Sequence, residues 1–562
     1  MPIGKSLLSS VLKEGVKRET GPDVRRMNIS VAVTISDLLK TSLGPRGMAK
    51  LITKEGRDFV ITNDGATILK EMAADHPVAQ IVAEAAKVQD SAAGDGTITM
   101  VVLAGELLKE AGKLMDLGVH PTIVARGFSK AAREAVKILE NLAFEIGSTD
   151  YDFLRKVAKT AVGSKIGSVA GERLAEIVVE AVKRSAKNVD GEVKVDLNDV
   201  NIIKKEGGSL TDTFLVDGVV VDREIVRQDM PKHVENARIA LVYGALEVKE
   251  VKGRDLADVK LRITSASQTA AFLDEQEEII KGMVERIRAS GANVALINRG
   301  MDDPVVYYLA RAGIPAWKRI FVPEMERIAR MSGGKLVDIK ELTSETLGHA
   351  AAVREMVVSG KKFLLIEGGR EHEASTIFVR GGTLHEVEEA ERALHDSLNA
   401  VRNSVEDRKV ITGGGSAEMA VSCSLKGIAR KTESREQLAI EAFADAIQIV
   451  PKALAENAGL NPLDALSVLR TECAGGGSCF GVDALKKEVG DMRALGVFDP
   501  LRVKVQAVRS ATEVAVAILR IDDVCFVKGS GTLKAQALKS GSSEEEPKLG
   551  PHATDWLDQK DT

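Results

Sequence analysis

The stretch Gln89-Asp-Ser-Ala-Ala-Gly-Asp-Gly-Thr-Ile-Thr99 predicts a short flexible loop that leads into a long helix. Gly94 and Gly96 have no Cβ, so the backbone of this loop can come close to a ligand. Apolar residues after the loop recur at the 3.6-residue spacing of a buried helical face. The first turn of the helix therefore presents unpaired N–H groups, a partial positive charge and the hydroxyls of Thr97 and Thr99. Such a turn is an anion site, and phosphate is its usual occupant.

Asp95 lies at the mouth of this anion site. Its carboxylate would repel a phosphate unless a Mg²⁺ ion lay between the two charges. Asp95 could instead serve only as a cap for the helix. The spacing of the residues favours neither interpretation, so both stay open at this point.

The composition of the 562-residue chain is that of a soluble globular protein, with 44% hydrophobic and 28% charged residues. Its length predicts roughly three or four domains, because one core cannot fill so long a chain. The net charge of −5 and the aromatic content of 3% argue against nucleic-acid binding. No uncharged apolar run reaches the length of a membrane span, and no secretory signal follows Met1. We therefore expect a cytoplasmic protein with no nucleic-acid partner and no membrane partner.

The four cysteines indicate a reducing compartment, because a secreted chain of this length would usually carry more. Cys473 and Cys479 flank Gly475-Gly476-Gly477, but no further cysteine or histidine pair completes a zinc set. Buried free thiols are therefore predicted at these positions rather than a metal site.

The first part of the chain, to about residue 145, is predicted to be mainly helical. After a lead-in over residues 1–20, a helix over residues 27–42 ends at Leu43-Gly44-Pro45, where glycine can take the left-handed end position and proline cannot continue the helix. Residues 50–62 predict a hairpin. Asp64 follows the hairpin and precedes another helix, which by itself favours a role as a cap or turn residue.

Residues 217–368 have a different character. Short apolar runs over residues 239–243, 293–297 and 363–366 alternate with helices, a pattern that predicts a separate α/β domain with a partly parallel sheet. Residues 247–274 are charged and irregular and predict a projection from this domain. The apolar residues of the projection fit either ordinary packing or a binding surface.

The last part of the chain returns to helices. In the helix predicted over residues 387–405, Asp396 points away from the buried face, which alone favours a solvated surface residue. Thr412-Gly-Gly-Gly415 then leads straight into another helix as a second loop suited to close approach. A strand is predicted over residues 514–521, and the composition of residues 529–562 predicts a disordered tail. Because both chain ends supply glycine loops, we expect them to form one domain together.

Taken together, these motifs resemble those of the chaperonins. The set comprises Leu43-Gly44-Pro45, Asp64-Gly65-Ala66-Thr67, Gly94-Asp95-Gly96-Thr97, Gly413-Gly414-Gly415, Gly496-Val497-Phe498-Asp499-Pro500 and Val503-Lys-Val-Gln-Ala507. Two further runs, Glu391-Arg-Ala-Leu-His-Asp-Ser-Leu398 and Pro231-Lys-His-Val-Glu-Asn-Ala-Arg-Ile-Ala-Leu241, narrow the resemblance to group II chaperonins of the archaeal thermosome type. The resemblance covers about residues 20–526 in order.

The resemblance implies a multidomain α and α/β fold. Its parts would be a helical equatorial ATPase domain, a small α/β intermediate hinge domain, an α/β apical domain that binds substrate through a surface with a helical lid protrusion, and a tail. The equatorial domain would comprise residues 20–146 and 405–526, and the intermediate domain residues 147–217 and 369–404. The apical domain would comprise residues 218–368, with the protrusion at about 245–275, and the tail would comprise residues 527–562. Identical or paralogous subunits would form a back-to-back double ring, and the protrusions would act as a built-in lid.

The resemblance also implies ATP and Mg²⁺ as cofactors and gives the motif residues roles in binding them. Leu43, Gly44 and Pro45 would line the phosphates, and Gly96, Thr97 and Thr99 would form the phosphate-binding loop. Gly414 would lie against the nucleotide, Asp483 near the base, and Asp499 would bind the ribose hydroxyls. Asp95 would hold Mg²⁺. Asp64 and Asp396 would position and deprotonate the attacking water, and Lys165 would sense the γ-phosphate from across the hinge.

The chemistry of phosphoryl transfer agrees with these roles. The reaction needs a metal ion to neutralise charge, donors around the phosphates and a carboxylate to orient water. No Gly-x-x-x-x-Gly-Lys-Ser/Thr sequence occurs, which excludes an ordinary P-loop ATPase. A pair of carboxylates divided between Asp64 and the hinge residue Asp396 would let hinge closure switch hydrolysis on.

Three features depart from the family pattern. Ile98 stands where a second threonine is usual, and one lost hydroxyl contact would cost about 0.5–1.5 kcal/mol of binding free energy. Gly163-Ser164 precedes Lys165 where a Thr-Gly or Ser-Ser pair is commoner. The acidic, Ser-rich tail lacks the Gly-Met repeats that are common in the family.

We therefore expect an ATP-driven chaperone that encloses non-native polypeptides and closes its lid on hydrolysis. The polypeptides would dock on exposed apolar surface of the apical domain. The alternative is a ring subunit that binds ATP but hydrolyses it poorly, and that serves assembly or scaffolding. Ile98 is the only sequence feature that supports this alternative.

Overall fold

The computed structural model describes residues 16–53, 59–72, 76–163, 165–166, 168–248, 266–369 and 374–527. The predictions for the start of the lead-in, for residues 249–265 of the projection and for the tail beyond residue 527 lie outside the described residues. Within these ranges no helix is long and apolar enough to cross a membrane.

The described residues form the following helices and strands. The helices are α1 (Pro22–Lys40), α2 (Gly65–Glu71), α3 (Pro77–Ala93), α4 (Thr97–Asp116), α5 (Pro121–Leu142), α6 (Tyr151–Gly163), α7 (Ser168–Ser185), α8 (Ala266–Ala289), α9 (Asp303–Arg311), α10 (Val322–Ser332), α11 (Leu384–Asp407), α12 (Ser416–Ala429), α13 (Glu436–Ala446), α14 (Ile449–Ala458), α15 (Pro462–Ala474), α16 (Met492–Leu495) and α17 (Leu501–Leu519). The strands are β1 (Val16–Thr20), β2 (Lys50–Thr53), β3 (Phe59–Thr62), β4 (Phe144–Glu145), β5 (Ala186–Val189), β6 (Glu192–Val195), β7 (Val200–Glu206), β8 (Phe214–Asp217), β9 (Val219–Val221), β10 (His233–Val242), β11 (Val294–Ile297), β12 (Ala316–Trp317), β13 (Gly348–Val358), β14 (Lys361–Gly369), β15 (Ser375–Gly381), β16 (Lys409–Thr412), β17 (Phe480–Asp483), β18 (Glu488–Asp491), β19 (Phe498–Pro500) and β20 (Asp523–Val527).

The first core joins the two ends of the chain. Helices α1, α3, α4 and α5 from the first part pack with α12, α13, α14 and α17 from the last part. Helix α4 contributes Val101, Val102 and Leu108, which are buried. The apolar helical face predicted after Gly96 is therefore confirmed. Burial of each such side chain stabilises the core by roughly 1.5–3 kcal/mol.

The second core is built on a six-stranded sheet with the strand order β12-β11-β10-β13-β14-β9. Strands β10, β11 and β12 are parallel, and the other neighbours are antiparallel. Helices α8 and α9 connect the parallel strands and pack on the sheet with α10. The predicted α/β character with a partly parallel sheet is confirmed. Helix α8 begins at Ala266, so the last residues of the projection are helical rather than irregular, because the Ala, Gln and Leu residues among them favour a helix.

The third core combines two stretches that lie far apart in the sequence. Helices α6 and α7 pack against α11 and against the three-stranded sheet β7-β15-β8. Val387, Leu394 and Val401 of α11 are fully buried. Helix α11 also contacts α3 and α17 of the first core. It is therefore one of the elements that link the third core to the first.

Some predicted boundaries are wrong. Helix α1 begins at Pro22 rather than at residue 27, because proline fits the first turn of a helix. Residues 514–521, predicted as a strand, lie mostly in α17, where the packing of Ile518 in the first core decides the conformation of a short apolar run. Residues 16–20 of the lead-in form β1, which pairs antiparallel with β20. The predicted hairpin is confirmed as β2 and β3.

Candidate active site

The loop from Gly94 to Gly96 joins two helices end to end. Gly94 ends α3 with a φ of +68°, and Gly96 precedes α4 with a φ of +81°, a region of conformation that favours glycine. Between them, Oδ1 of Asp95 accepts a hydrogen bond from the backbone N–H of Gly96 at 2.6 Å. The carboxylate therefore does not bond the N–H groups of the first turn of α4, as a helix cap would. The N–H groups of that turn remain available for an anion.

The Asp95 carboxylate carries an electrostatic cost in this position. Burial raises the pKa of Asp95, an effect that Lys165 opposes and that the charge of Asp499 reinforces. Gln89 fixes the loop by donating from Nε2 to the backbone carbonyl O of Asp95 at 2.8 Å. A divalent cation bound to Asp95 would offset the cost of its burial, so the donor fits Mg²⁺.

Asp64 stands at the start of α2 and uses its two carboxylate oxygens differently. Oδ2 accepts a hydrogen bond from the backbone N–H of Thr67 at 2.8 Å, so Asp64 is the helix cap that its position in the sequence suggests. Oδ1 lies 3.2 Å from Nζ of Lys165 and accepts a second hydrogen bond there. Asp64 therefore has a cap role and also faces a cation from a distant part of the chain.

Asp396 is buried at the junction of the first and third cores. Its residue is 9% exposed, so the interpretation as a solvated surface residue is wrong. Its Oδ2 accepts a hydrogen bond from Nζ of Lys165 at 2.6 Å. Lys165 thus bridges Asp64 and Asp396, and the three side chains form one charged cluster.

The pKa values of the cluster shift in opposite directions. Burial raises the pKa of Asp396 well above its ordinary value, although Lys165 lowers it, and the charges of Asp95 and Asp64 raise it further. For Asp64, burial raises the pKa, but Lys165 and the bonds to Thr67 lower it by more. Burial lowers the pKa of Lys165, but Asp396 and Asp64 raise it by more, so the amine stays charged. The environments thus distinguish the two carboxylates.

Gly65 brings Asp64 beside the first turn of α4. A Cβ on Gly65 would lie 2.8 Å from Cγ1 of Ile98 and 3.0 Å from Oγ1 of Thr97. Thr97 is buried, and Thr99 is partly buried. The turn that carries Asp64 is therefore packed directly on the helix that follows Asp95.

The second glycine loop follows β16 and leads into α12. Gly414 has a φ of +64°, and a Cβ there would lie 2.4 Å from Sδ of Met492. Strand β19 pairs with β16 and places Asp499 beside Gly413, where a Cβ would lie 3.1 Å from Oδ2 of Asp499. This pairing brings a carboxylate from residue 499 to the backbone of the loop.

The turn at Leu43-Gly44-Pro45 packs on α14. Gly44 has a φ of +81°, and a Cβ there would lie 2.3 Å from Cδ2 of Leu454. Asn457 donates from Nδ2 to the backbone carbonyl O of Leu43 at 2.8 Å. The left-handed conformation predicted for this glycine is therefore confirmed, and among the described residues no hydrogen bond or ion pair joins the turn to the charged cluster.

Asp483 lies at the end of β17, beside the second glycine loop. The preceding residue, Val482, donates its backbone N–H to the carbonyl O of Gly414 at 2.8 Å. The Asp483 carboxylate accepts hydrogen bonds from the backbone N–H groups of Leu485 and Lys486 at 3.0 and 3.1 Å. The structure therefore places the residue near Gly414 but commits its carboxylate oxygen Oδ1 to its own turn.

Several charged groups at the site escaped the sequence analysis. Lys504 on α17 lies between Glu418 and Asp499, and Asp90 on α3 has a pKa that burial and Asp64 raise. Lys504 shares the buried face of α17 with Val508. A lysine on an otherwise apolar helical face was the signal in the sequence that could have identified it.

The carboxylates at this site suit a metal ion that completes its coordination shell with oxygen atoms of a bound ligand and with water. Among the described residues, no group of three or more His, Cys, Asp or Glu side chains could hold a metal ion. Mg²⁺ is usually bound by one or two carboxylates together with phosphates and waters. In the same part of the chain Cys423, Cys473 and Cys479 are free thiols. The burial predicted for Cys473 and Cys479 is wrong, because both are partly exposed.

Comparison with known proteins extends these observations over nearly the whole chain. The model of the TCP-1/cpn60 chaperonin family matches residues 35–529. The thermosome subunit alpha of Archaeoglobus fulgidus is 46% identical over 536 residues, which cover 95% of this chain and 98% of that protein. The thermosome subunit of Methanopyrus kandleri is 47% identical over 515 residues, covering 92% of this chain and 94% of that protein. The resemblance and the α and α/β fold predicted from the motifs are confirmed, and the chain belongs to the TCP-1/cpn60 chaperonin family.

Proposed function

We propose that this chain binds Mg-ATP between the loop of Asp95 and the loop of Gly414 and hydrolyses it at the cluster of Asp64, Lys165 and Asp396. The chain is a group II chaperonin subunit, an ATPase that drives the folding of non-native polypeptides. The observation that carries the assignment of the site is the bridge that Lys165 makes between two carboxylates from different cores.

The binding roles follow the local chemistry of each element. ATP supplies the phosphates, and Mg²⁺ supplies the positive charge that phosphoryl transfer needs. In this proposal Asp95 holds the metal, and the hydroxyls and N–H groups at the start of α4 bind phosphate oxygens. The remaining contacts are the turn at Leu43, Gly44 and Pro45 with the phosphates, and Gly414, Asp483 and Asp499 with the nucleoside.

The two carboxylates of the cluster are suited to different tasks. One oxygen of Asp64 caps α2 and the other bonds Lys165, which makes Asp64 a fixed group that can orient a water molecule. Asp396 has the raised pKa of the two. A general base works best when its pKa approaches the working pH, so Asp396 is the better acceptor for the proton of the attacking water.

Movement of the third core would control this chemistry. Lys165 lies between α6 and α7, and Asp396 lies on α11, so both belong to the third core, whereas Asp64 lies beside the first. Withdrawal of the third core would remove two of the three charged groups at once. Hydrolysis would therefore require the closed arrangement of the two cores.

We assign the three cores to the domains that the resemblance implies. The first core supports an equatorial domain at residues 20–146 and 405–526, and the third supports a hinge domain at residues 147–217 and 369–404. The second supports an apical domain at residues 218–368 that receives polypeptides. The apical helix α8 exposes Leu273 by 57%, at the end of the segment that would form the lid.

The test is the rate of Mg-dependent phosphate release by purified protein. Asp396→Asn should lower kcat by roughly 10²–10⁴-fold, the range that a general base contributes, while the KM for ATP changes little. Asp64→Asn keeps an oxygen to cap α2 and should also lower kcat with binding retained. Glu391→Gln, an acid-to-amide change on the same helix as Asp396, is the control and should leave turnover near that of the natural protein. Near-normal turnover by Asp396→Asn would refute its assignment.

A further inference from the structure

Lys504 is a buried lysine held between two carboxylates. It is 8% exposed, and its Nζ lies 2.7 Å from Oε1 of Glu418 and 3.0 Å from Oδ2 of Asp499. Burial lowers the pKa of Lys504, but Asp499 and Glu418 raise it by more, so the amine remains charged. A full positive charge therefore lies inside the protein beside the second glycine loop.

The fold brings the two glycine loops and strand β19 to this lysine. Lys504 stands in the first turn of α17, directly after β19, which carries Asp499. Its neighbour Val503 packs on the first glycine loop, where a Cβ on Gly96 would lie 2.8 Å from Cγ1 of Val503. Glu418 stands in the first turn of α12, directly after the second glycine loop. The amine is thus placed where the two loops and β19 converge.

Stability alone does not account for this arrangement. A buried ion pair gains little over apolar side chains of the same volume, because both charges must leave water. Here two carboxylates share one amine, and Oε2 of Glu418 is buried with no hydrogen-bond partner among the described residues. A buried polar atom left unpaired costs about 1–3 kcal/mol. Because this group of charges carries such a cost, a functional role explains it better than packing does.

The two oxygens of Asp499 have different surroundings. Oδ2 is held by Lys504 and lies against Gly413. Oδ1 forms no hydrogen bond with any residue in the described ranges, and the side chain is 23% exposed. One oxygen is therefore anchored, and the other is left to accept a hydrogen bond from a ligand.

We propose that Lys504 is a positioning residue that holds the Asp499 carboxylate in place to accept the ribose hydroxyls of the nucleotide, with Glu418 holding the lysine. The inference rests on the proposed function, which gives Asp499 the ribose. Lys504 acts through Asp499 and does not itself touch the nucleotide. It therefore determines selectivity for the sugar rather than the rate of phosphate transfer.

The experiment compares ATP with 2′,3′-dideoxy-ATP, which lacks both ribose hydroxyls. For each nucleotide, kcat/KM is measured by Mg-dependent phosphate release on the assembled full-length protein. The natural protein should prefer ATP by about 10-fold or more, the value of one or two hydrogen bonds to a charged acceptor. Lys504→Met should bring the preference close to that of Asp499→Asn, mainly through a higher KM for ATP. In the Asp499→Asn background, Lys504→Met should change the preference no further.

A matched control separates this role from the loss of any amine that pairs with a buried carboxylate. Lys187→Met removes an amine 2.9 Å from the buried carboxylate of Asp199, on β5 in the third core. It should leave the preference for ATP unchanged. Because Lys504→Met leaves two carboxylates unpaired and could fail to fold, the comparison is repeated with Glu418→Gln and Lys504→Met together, which removes one of those charges.

Each result bears on one assignment. If either Lys504 variant assembles and keeps the preference of the natural protein while Asp499→Asn loses it, the positioning role of Lys504 is refuted and the ribose contact stands. If Asp499→Asn keeps the preference, the ribose contact itself is refuted, and the inference fails with it. Loss of the preference in Asp499→Asn and in the assembled Lys504 variant, but not in Lys187→Met, supports the inference.

Discussion

At the scale of single residues, Lys165 opposes the effect of burial on the pKa of both carboxylates that face it. Its amine lowers the pKa of Asp396, which burial, Asp95 and Asp64 raise, and it lowers the pKa of Asp64. If Asp396 must be ionised to accept a proton, activity is lost as the pH falls through its pKa. Removal of the cation raises that pKa further, so the pH at which activity is lost must rise.

Lys165→Met should accordingly shift the acidic limb of the pH profile of kcat to higher pH. The profile is measured by phosphate release at saturating Mg-ATP over the range in which the protein stays assembled. Lys159→Met, on α6, removes an exposed amine that pairs with Glu172 and should leave the limb in place. A limb that stays fixed or moves to lower pH in Lys165→Met would contradict the proposed contact between this amine and the base.

Substitution of Ile98 tests whether the affinity of this chain for Mg-ATP is reduced by a missing hydroxyl. Its side chain packs on Gly65 at the start of α2 and against the first core. Ile98→Thr adds one hydroxyl at the turn that we propose binds phosphate, and it should tighten ATP binding by about 0.5–1.5 kcal/mol, or roughly 2–12-fold. The measurement is the dissociation constant for Mg-ATP by calorimetry, with Val101→Thr in the next turn as the control for a lost apolar contact. Unchanged or weaker binding in Ile98→Thr would argue against a missing phosphate contact at this position.

At the scale of elements, the close contact between the Gly94 loop and α11 joins the first core to the third. Asn399 lies one turn after Asp396 on α11, and a Cβ on Gly94 would lie 2.2 Å from its Cβ. Asn403, one turn further on, donates from Nδ2 to the backbone carbonyl O of Ala93 at 2.7 Å. The position of Asp396 therefore depends on the absence of a side chain at residue 94.

Gly94→Ala should lower both stability and turnover. The positive φ costs about 1–2 kcal/mol for a residue with a Cβ, and the overlap with Asn399 adds roughly 1–3 kcal/mol. Gly118→Ala is the control, because Gly118 has a φ of +84° and a Cβ there would have no heavy atom within 4 Å. Thermal unfolding should show a smaller loss in Gly118→Ala, and phosphate release should fall only in Gly94→Ala. If both variants lost stability and turnover equally, the contact with α11 would have no role in activity.

At the scale of the whole molecule, the hairpin of β2 and β3 exposes an apolar face. In the hairpin, Leu51 lies opposite Ile61, and these side chains are 63% and 39% exposed on one face together with Phe59. The hairpin forms a sheet of its own, with no further strand paired to it in the described part of the chain. Exposed apolar strands of this kind are sites of association. We therefore propose that the hairpin lies in a contact between subunits.

Leu51→Asp should weaken or prevent ring assembly, because the charge would have to be buried in that contact. Assembly is read by negative-stain images and sedimentation, and we expect stacked rings for the natural protein. Leu117→Asp places the same charge at a leucine that is 79% exposed in a loop and should assemble normally. Intact rings of Leu51→Asp would exclude the hairpin from the subunit contact.

What the sequence by itself determined is the local geometry. The apolar face of α4, the hairpin β2–β3 and the helix starts after Gly96 and Gly415 could be predicted, because periodicity and turn chemistry act between residues close in the chain. The motifs were also specific enough to predict the family. The strand predicted at residues 514–521 was wrong because a short apolar run fits either structure until its packing partners are known.

Only the tertiary structure decided which charged groups meet. Lys165 lies 101 residues from Asp64 and 231 residues from Asp396 along the chain, so no local pattern could pair them by its own physics. The burial of Asp396, its raised pKa and the capture of Lys504 between two carboxylates arise where cores from separate stretches pack together. Electrostatic interactions depend on distance and burial, and a folded chain sets both only when its distant parts come into contact.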